Sequence, residues 1–295
     1  MRGLSGNTVG IVMMTISTAC FAINDALLKL AMAEIPSFEA LLIRAVAVVL
    51  LGVPLLGIMG QLRFLPRAFE WRVQLRNLFE VIAALGFVIG LAQAPIADLT
   101  ALGQTSPLLL LAGATLFLGE RLTRLQIGLV LLAFVGALLV AQPGGGGFSP
   151  FTLFGLWSAG AVAIRDLIGR RINAEIPGIV IVVGVGIVGV VGAGIATLLF
   201  ETWVWPGVVT LLFVTGSSAL LLVGQWLLLH AYRVASVGSV APFLYMSTIW
   251  ALVTGLLIFG TAPNPLALGG IALIVVSGVA VVALERWPRK TVVSP

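Results

Sequence analysis

Residues 8–284 run as a series of apolar stretches, each long enough to cross a bilayer and separated by short polar turns. Lipid offers no hydrogen bonds, so such stretches must close their backbone on themselves as helices, roughly 20 residues for each crossing. Breaking the chain at charges, prolines and glycine clusters predicts ten of them: 8–30, 37–59, 75–93, 98–118, 125–141, 151–171, 178–200, 208–232, 239–260 and 266–284. The expected fold is an all-α integral membrane protein with ten transmembrane helices. A charged fraction of 9% and a mean hydropathy of +1.18 agree, because a water-facing body of 295 residues needs far more charge on its surface. Ala31-Met32-Ala33 resembles a signal-peptidase site, but 8–30 is long enough to span and carries Asn24, Asp25 and Lys29 near its end. It is therefore read as the first helix. Cys20 is the single cysteine, which rules out an intrachain disulfide.

Charge placement predicts orientation. With the N-terminus in the cytoplasm, thirteen of the sixteen Lys and Arg fall on that side. They are Arg2; Arg63, Arg67, Arg72 and Arg76; Arg121 and Arg124; Arg170 and Arg171; Arg233; and Arg286, Arg289 and Lys290. The loops after the third, fifth, seventh and ninth segments carry none, so both termini are expected to be cytoplasmic. No basic cluster is dense enough for a nucleic-acid partner.

Sliding the chain on itself by 141 residues reveals a repeat. Ala22-Ile23-Asn24-Asp25 falls on Ala163-Ile164-Arg165-Asp166, and Ala33-Glu34-Ile35-Pro36 on Ala174-Glu175-Ile176-Pro177. Lys29 falls on Arg170, Ala94 on Ala235, Ser106 on Ser247 and Gly119 on Gly260. Each copy holds five predicted helices, an odd number, so the second enters the membrane inverted. The expected organisation is a first five-helix repeat at 1–143, a glycine-rich connector at 144–150, and a second repeat with its tail at 151–295. Inverted repeats build many secondary transporters, with the substrate near midplane where the repeats meet.

Ala94-Pro95-Ile96-Ala97 through Ser106-Pro107, followed by Leu116-Phe117-Leu118-Gly119-Glu120-Arg121-Leu122, resembles EamA-type transporters of the drug/metabolite transporter superfamily. The second copy departs from that pattern: Phe259-Gly260-Thr261-Ala262 replaces the Gly-Glu-Arg turn, and Thr248 stands where Pro107 does. The resemblance implies a ten-helix, 5+5 solute carrier in a bacterial inner (plasma) membrane, commonly an exporter of metabolites or amino acids. It implies no cofactor and no particular solute.

Polar groups inside the segments are the candidate site, since a charge at mid-bilayer costs ~2.5–3.5 kcal/mol and such residues face the bundle interior. Asp25 with Lys29 and Asp166 with Arg170 read as local ion pairs one helical turn apart, with Arg44 toward Glu39 or Glu34 and Arg165 toward a nearby carboxylate. Glu80 is either a partner for Arg76 or a carboxylate that takes protons or an ammonium group. Gln104 and Ser106 match Tyr245 and Ser247 at equivalent depths, which suits two walls of one cavity or plain interhelical glue. Trp157 and Trp250 face lipid or form an aromatic wall. The amides of Gln225 and Asn24 complete the substrate-binding candidates. His230 reads as helix-end packing, Pro107 as a break in the fourth helix, and the glycines of 184–194 as a surface for close helix approach.

One histidine, one cysteine and the lack of a closely spaced carboxylate pair within a helix argue against a membrane-embedded enzyme or a metal centre. No ATP-binding motif is present. The expected function is a carrier for a small organic solute, an amino acid first and a vitamin- or nucleoside-like metabolite second, with oligomeric state unreadable.

Overall fold

The computed structural model describes residues 6–91, 102–120, 122–142, 150–259 and 264–286, and the regular structure among them is all helical. In chain order the α-helices are α1 Gly6–Ala31, α2 Ser37–Ile58, α3 Trp71–Leu91, α4 Ser106–Leu118, α5 Arg124–Ala141, α6 Leu153–Arg170, α7 Gly178–Phe200, α8 Val208–Val234, α9 Val237–Leu244, α10 Met246–Phe259 and α11 Pro265–Arg286. A 3-10 helix, Leu62–Phe69, precedes α3. Each of the ten predicted segments holds at least one of these helices. The connector at 144–150, apart from Pro150, and the tail beyond 286 lie outside the described residues.

Six described stretches are long and apolar enough to cross a membrane: Gly6–Ala31, Ser37–Ile58, Trp71–Gly90, Gly178–Phe200, Val208–Val234 and Val237–Ile258. Three further apolar helices are shorter, Ser106–Leu118, Arg124–Leu139 and Leu268–Ala280. α6 is absent from both sets because its 18 residues include Arg165, Asp166 and Arg170. Its charges must therefore be met by the protein.

Local chemistry sets several helix ends. Pro36 and Pro177 occupy the N-cap positions of α2 and α7, where a missing N–H costs nothing. Gly119 ends α4 with φ +67°, a left-handed conformation that glycine adopts without strain. Thr123 and Gln126 form a capping box at the start of α5. The fourth predicted segment breaks at Gln104–Thr105, and α4 restarts with Pro107 in its first turn, where proline is tolerated. The ninth segment, predicted as one helix, is interrupted at Tyr245 between α9 and α10. The two breaks are offset by 140 and 141 residues.

The most extensive packing joins α1 to α8, α2 to α7, α3 to α6 and α5 to α11. Small residues let these pairs approach closely. A Cβ on Gly192 would lie 2.5 Å from Val81, and one on Gly184 2.5 Å from Asn77 Nδ2, so the glycines of α7 seat α3 as the sequence suggested. A reciprocal clasp closes one end of the α2–α7 pair. Both oxygens of Glu201 accept from the first amides of α2, Phe38 N at 2.9 Å and Glu39 N at 2.8 Å, and Glu39 in turn accepts from Val204 N at 2.9 Å. Thr210 donates to Glu34 beside it. These bonds satisfy helix-end donors that would otherwise be orphaned.

Gly136 of α5 lies against the backbone of α11: a Cβ there would meet the Gly270 carbonyl oxygen at 2.6 Å and Ile274 at 2.9 Å, whereas Gly128 on the same helix meets nothing within 4 Å. Gly136→Val is expected to lower stability in detergent by about 1–3 kcal/mol through overpacking, while Gly128→Val leaves it unchanged. Equal unfolding temperatures for the two variants would refute the α5–α11 contact.

Candidate functional site

Glu80, the tenth residue of α3, is the centre of a charged cluster that joins α3, α6 and α8. Its Oε2 accepts from Arg165 Nη1 at 2.9 Å and from Gln225 Nε2 at 3.0 Å, and lies 3.4 Å from Arg76 Nη2. Arg165 also donates through Nε to Asp166 Oδ1 at 2.7 Å, and Asp166 Oδ2 accepts from Tyr232 OH at 2.8 Å. Arg76, only 1% exposed, donates to Gln225 Oε1 and, at 3.1 Å, to Asn77 Oδ1. Asn77 donates to the Ile181 carbonyl at 3.1 Å and so carries the network to α7. Charges this deep persist only when paired and hydrogen-bonded, and each of these has several partners.

The cluster borders a narrow cleft of about 50 Å³ between α2, α3, α7 and α8. Arg44 and Glu80 are the charged groups in its lining, and the rest is apolar: Leu41, Val48, Val81, Leu85, Val185 and Leu221 with small residues between them. A few polar anchors in an apolar enclosure is the usual make-up of a small-molecule site.

The structure brings Glu80 and Gln225 of the predicted set into direct contact. Asn24 is buried at the α1–α8 seam, where it accepts from Ser217 and donates to Asp25, both at 2.7 Å. A second polar group lies at the two helix breaks, where Gln104 Nε2 donates to Thr248 Oγ1 at 2.8 Å and Ser247 to the Leu244 carbonyl at 2.8 Å. Ser106 is half-buried at the start of α4. Tyr245 is fully buried against Phe134, and its hydroxyl and the Trp250 indole Nε1 have no hydrogen-bond partner among the described residues. Trp157 is 60% exposed, with its indole edge against Gly86. His230 donates through Nδ1 to the Trp226 carbonyl and packs on its ring at 4.5 Å, a helix-end packing role as expected.

Two expected pairings are corrected. Asp166 pairs with Arg165 and Tyr232, and Arg170 reaches instead across the bundle to Glu120 Oε1 at 2.6 Å. Arg44 meets neither Glu34 nor Glu39, whose carboxylates bind Thr210 and Val204 N. For Asp166 and Arg170, a spacing of four within one helix competes with partners from neighbouring helices, and in this bundle the neighbours win; for Arg44, the two carboxylates are taken up at the end of the α2–α7 pair. Arg44, Arg76, Arg165 and Asp166 were read as ion-pair partners and not as solute-binding groups, and Tyr232 was not singled out; for the four charges the available signal was their position within apolar segments.

Glu80→Gln keeps the shape and removes the charge that offsets Arg76 and Arg165. Stripping one partner from a buried ion pair costs about 3–5 kcal/mol. The variant is expected to unfold in detergent well below the parent, while Glu70→Gln, in an exposed pair 3.8 Å from Arg67, moves it little. A parental unfolding curve for Glu80→Gln would count against the cluster.

Residues 8–142 match the EamA-like transporter family. Over 289 residues the chain is 28% identical to the pseudopaline exporter of Pseudomonas aeruginosa, covering 95% of this chain and 97% of that one. It is 29% identical to a riboflavin transporter of Rhizobium johnstonii across 75% of this chain and 74% of that one, and 25% identical to an S-adenosylmethionine uptake transporter of Rickettsia conorii across 72% and 71%. A solved crystal structure superposes with a TM-score of 0.80 at 19% identity, covering 96% of this chain and 99% of its own, so the fold is shared. Turn motif, helical plan and relatives agree: the chain is similar to transporters over nearly its whole length, and its residues 8–142 match the EamA-like transporter family.

Proposed function

We propose that this protein is a secondary carrier that moves a small organic solute across a bacterial inner membrane by alternating access. An amino acid, aromatic ones included, is the favoured solute and export the favoured direction. One observation carries the reading. Four pairs of residues 141 apart line the same cleft: Arg44 with Val185, Ala45 with Gly186, Val48 with Gly189, and Glu80 with Leu221. A cleft walled by matching positions of two repeats lies on the axis that relates them, where an inverted-repeat carrier binds its solute.

The repeat has further support. Adding 141 to the first residues of α2 and α5 gives the first residues of α7 and α11. Exchanging the two halves turns the α1–α8 contact into α6–α3 and returns α2–α7 and α5–α11 to themselves, as a two-fold axis requires. The units are 1–143 and 151–295, joined by 144–150. Basic groups gather at one end, where Arg67 lies 3.3 Å from Glu175, Arg72 donates to the Arg171 carbonyl and Arg233 to the Ile176 carbonyl. That end is the cytoplasmic one, with both termini on it.

In this reading Glu80 and Gln225 hold the solute's polar head. Asn24 sets the neighbouring seam. Gln104, Ser106, Tyr245, Ser247, Trp157 and Trp250 belong to the route along the helix breaks. The second reading is uptake of a vitamin- or nucleoside-like metabolite. The unpartnered Tyr245 hydroxyl and Trp250 indole N–H favour it, because a flat heteroaromatic solute offers ring faces and acceptors together. The names of the riboflavin and S-adenosylmethionine relatives point the same way.

Counterflow in proteoliposomes tests the assignment, with labelled neutral amino acids, riboflavin and S-adenosylmethionine as probes. The carrier reading expects saturable entry accelerated by the same unlabelled solute on the far side. Flux that rises linearly without exchange identifies a channel instead, and no flux of any probe ends the proposal. Exchange of riboflavin or S-adenosylmethionine but no amino acid selects the second reading.

A further inference from the structure

The cleft has one charged wall and one apolar wall. Arg44 and Glu80 come from α2 and α3, and their counterparts 141 residues on, Val185 and Leu221, come from α7 and α8. Arg44 is also unlike the other arginines inside the bundle. Arg76 and Arg165 meet Glu80, and Arg170 meets Glu120. The Arg44 guanidinium enters no hydrogen bond or ion pair among the described residues; it lies only in the longer-range fields of Asp25 and Glu80. An arginine held within a membrane segment without an anion is expensive, by at least ~2.5–3.5 kcal/mol, unless its head meets water or a ligand in a cavity.

Glu80 is the complement. Its Oε2 takes the bonds from Arg165, Gln225 and Arg76, and its Oε1 takes none among the described residues. Among the described residues, the cleft therefore offers a guanidinium with all five donors uncommitted and a carboxylate oxygen with its acceptor capacity intact, facing an apolar wall.

We propose that Arg44 binds the carboxylate of the transported solute and Glu80 Oε1 its ammonium, with Val185 and Leu221 against the solute's side chain. The solute is then a neutral α-amino acid or a compound with the same zwitterionic head. This rests on the carrier reading and narrows it: a planar guanidinium is suited to two parallel hydrogen bonds from a carboxylate, which esters, amides and amines cannot accept in the same way. Arg44 becomes the residue that decides the solute's class.

The test uses the full-length protein in proteoliposomes, loaded with L-leucine or L-phenylalanine and challenged with each acid, its methyl ester and its decarboxylated amine. The parent is expected to exchange the acids and to reject the esters and amines, a comparison that needs no variant. Arg44→Gln is expected to raise the half-saturation concentration for the acids by about tenfold or more, and Arg44→Lys by less, because loss of a desolvated charge partner falls on affinity. Unfolding curves like the parent's certify both variants as folded, and a misfolded variant leaves the decision with the ester and amine comparison. Equal exchange of acids, esters and amines by the parent overturns the proposal, as does an unchanged half-saturation in folded Arg44→Gln. Saturable exchange of riboflavin or S-adenosylmethionine, unaffected by Arg44→Gln, overturns it while leaving the carrier reading intact. Absence of all exchange removes both.

Discussion

The Glu80 carboxylate is the interaction on which the centre of this molecule depends. Two arginines, Arg76 and Arg165, sit in helices that lipid surrounds, and one oxygen accepts from or contacts both. Take it away and the α3–α6 seam holds two cations with a single anion, Asp166, between them. In water such a pair would be worth little. Here hydration cannot replace the partner, so the pairing dictates which faces of α3, α6 and α8 meet. The neutral bridges from Gln225 and Asn77 then use up the donors that the charges leave over.

Positions 141 residues apart hold neutral groups at one seam and charges at another. Asn24 and Arg165 occupy equivalent positions, as do Ser217 and Arg76, and Leu221 and Glu80. At the α1–α8 seam these positions form a neutral Ser217–Asn24 hydrogen bond; at the α3–α6 seam they belong to the ion cluster. The two seams are both closely packed and differ in the polar residues they bury.

Much of this architecture could be read from residues alone. Period and length located the helices because each lipid crossing demands the same run of apolar residues, and Pro36 and Pro177 marked two starts for a reason local to the backbone. Glu80 and Gln225 were found as polar exceptions. Their partnership was not, because 145 residues separate them and no local rule links the two. The Asp166–Arg170 pairing failed for the same reason in reverse: a rule that considers one helix cannot weigh Glu120, which the Gly119 turn delivers from another. The interruption at Tyr245 was missed because Thr248, not proline, stands at the position equivalent to Pro107, which follows the break in the fourth segment.

The Glu201–Glu39 clasp has a mechanical consequence. By binding the start of α2 to the segment after α7, it makes those two helices a single lever, braced along its length where Gly186 admits Val49 and Gly52 admits Val183. The ions weld α3 to α6 in the same manner. The cleft lies between these two stiff bodies. Any widening of it would fall first on the contact between them, where Gly184 and Gly192 of α7 meet Asn77 and Val81 of α3.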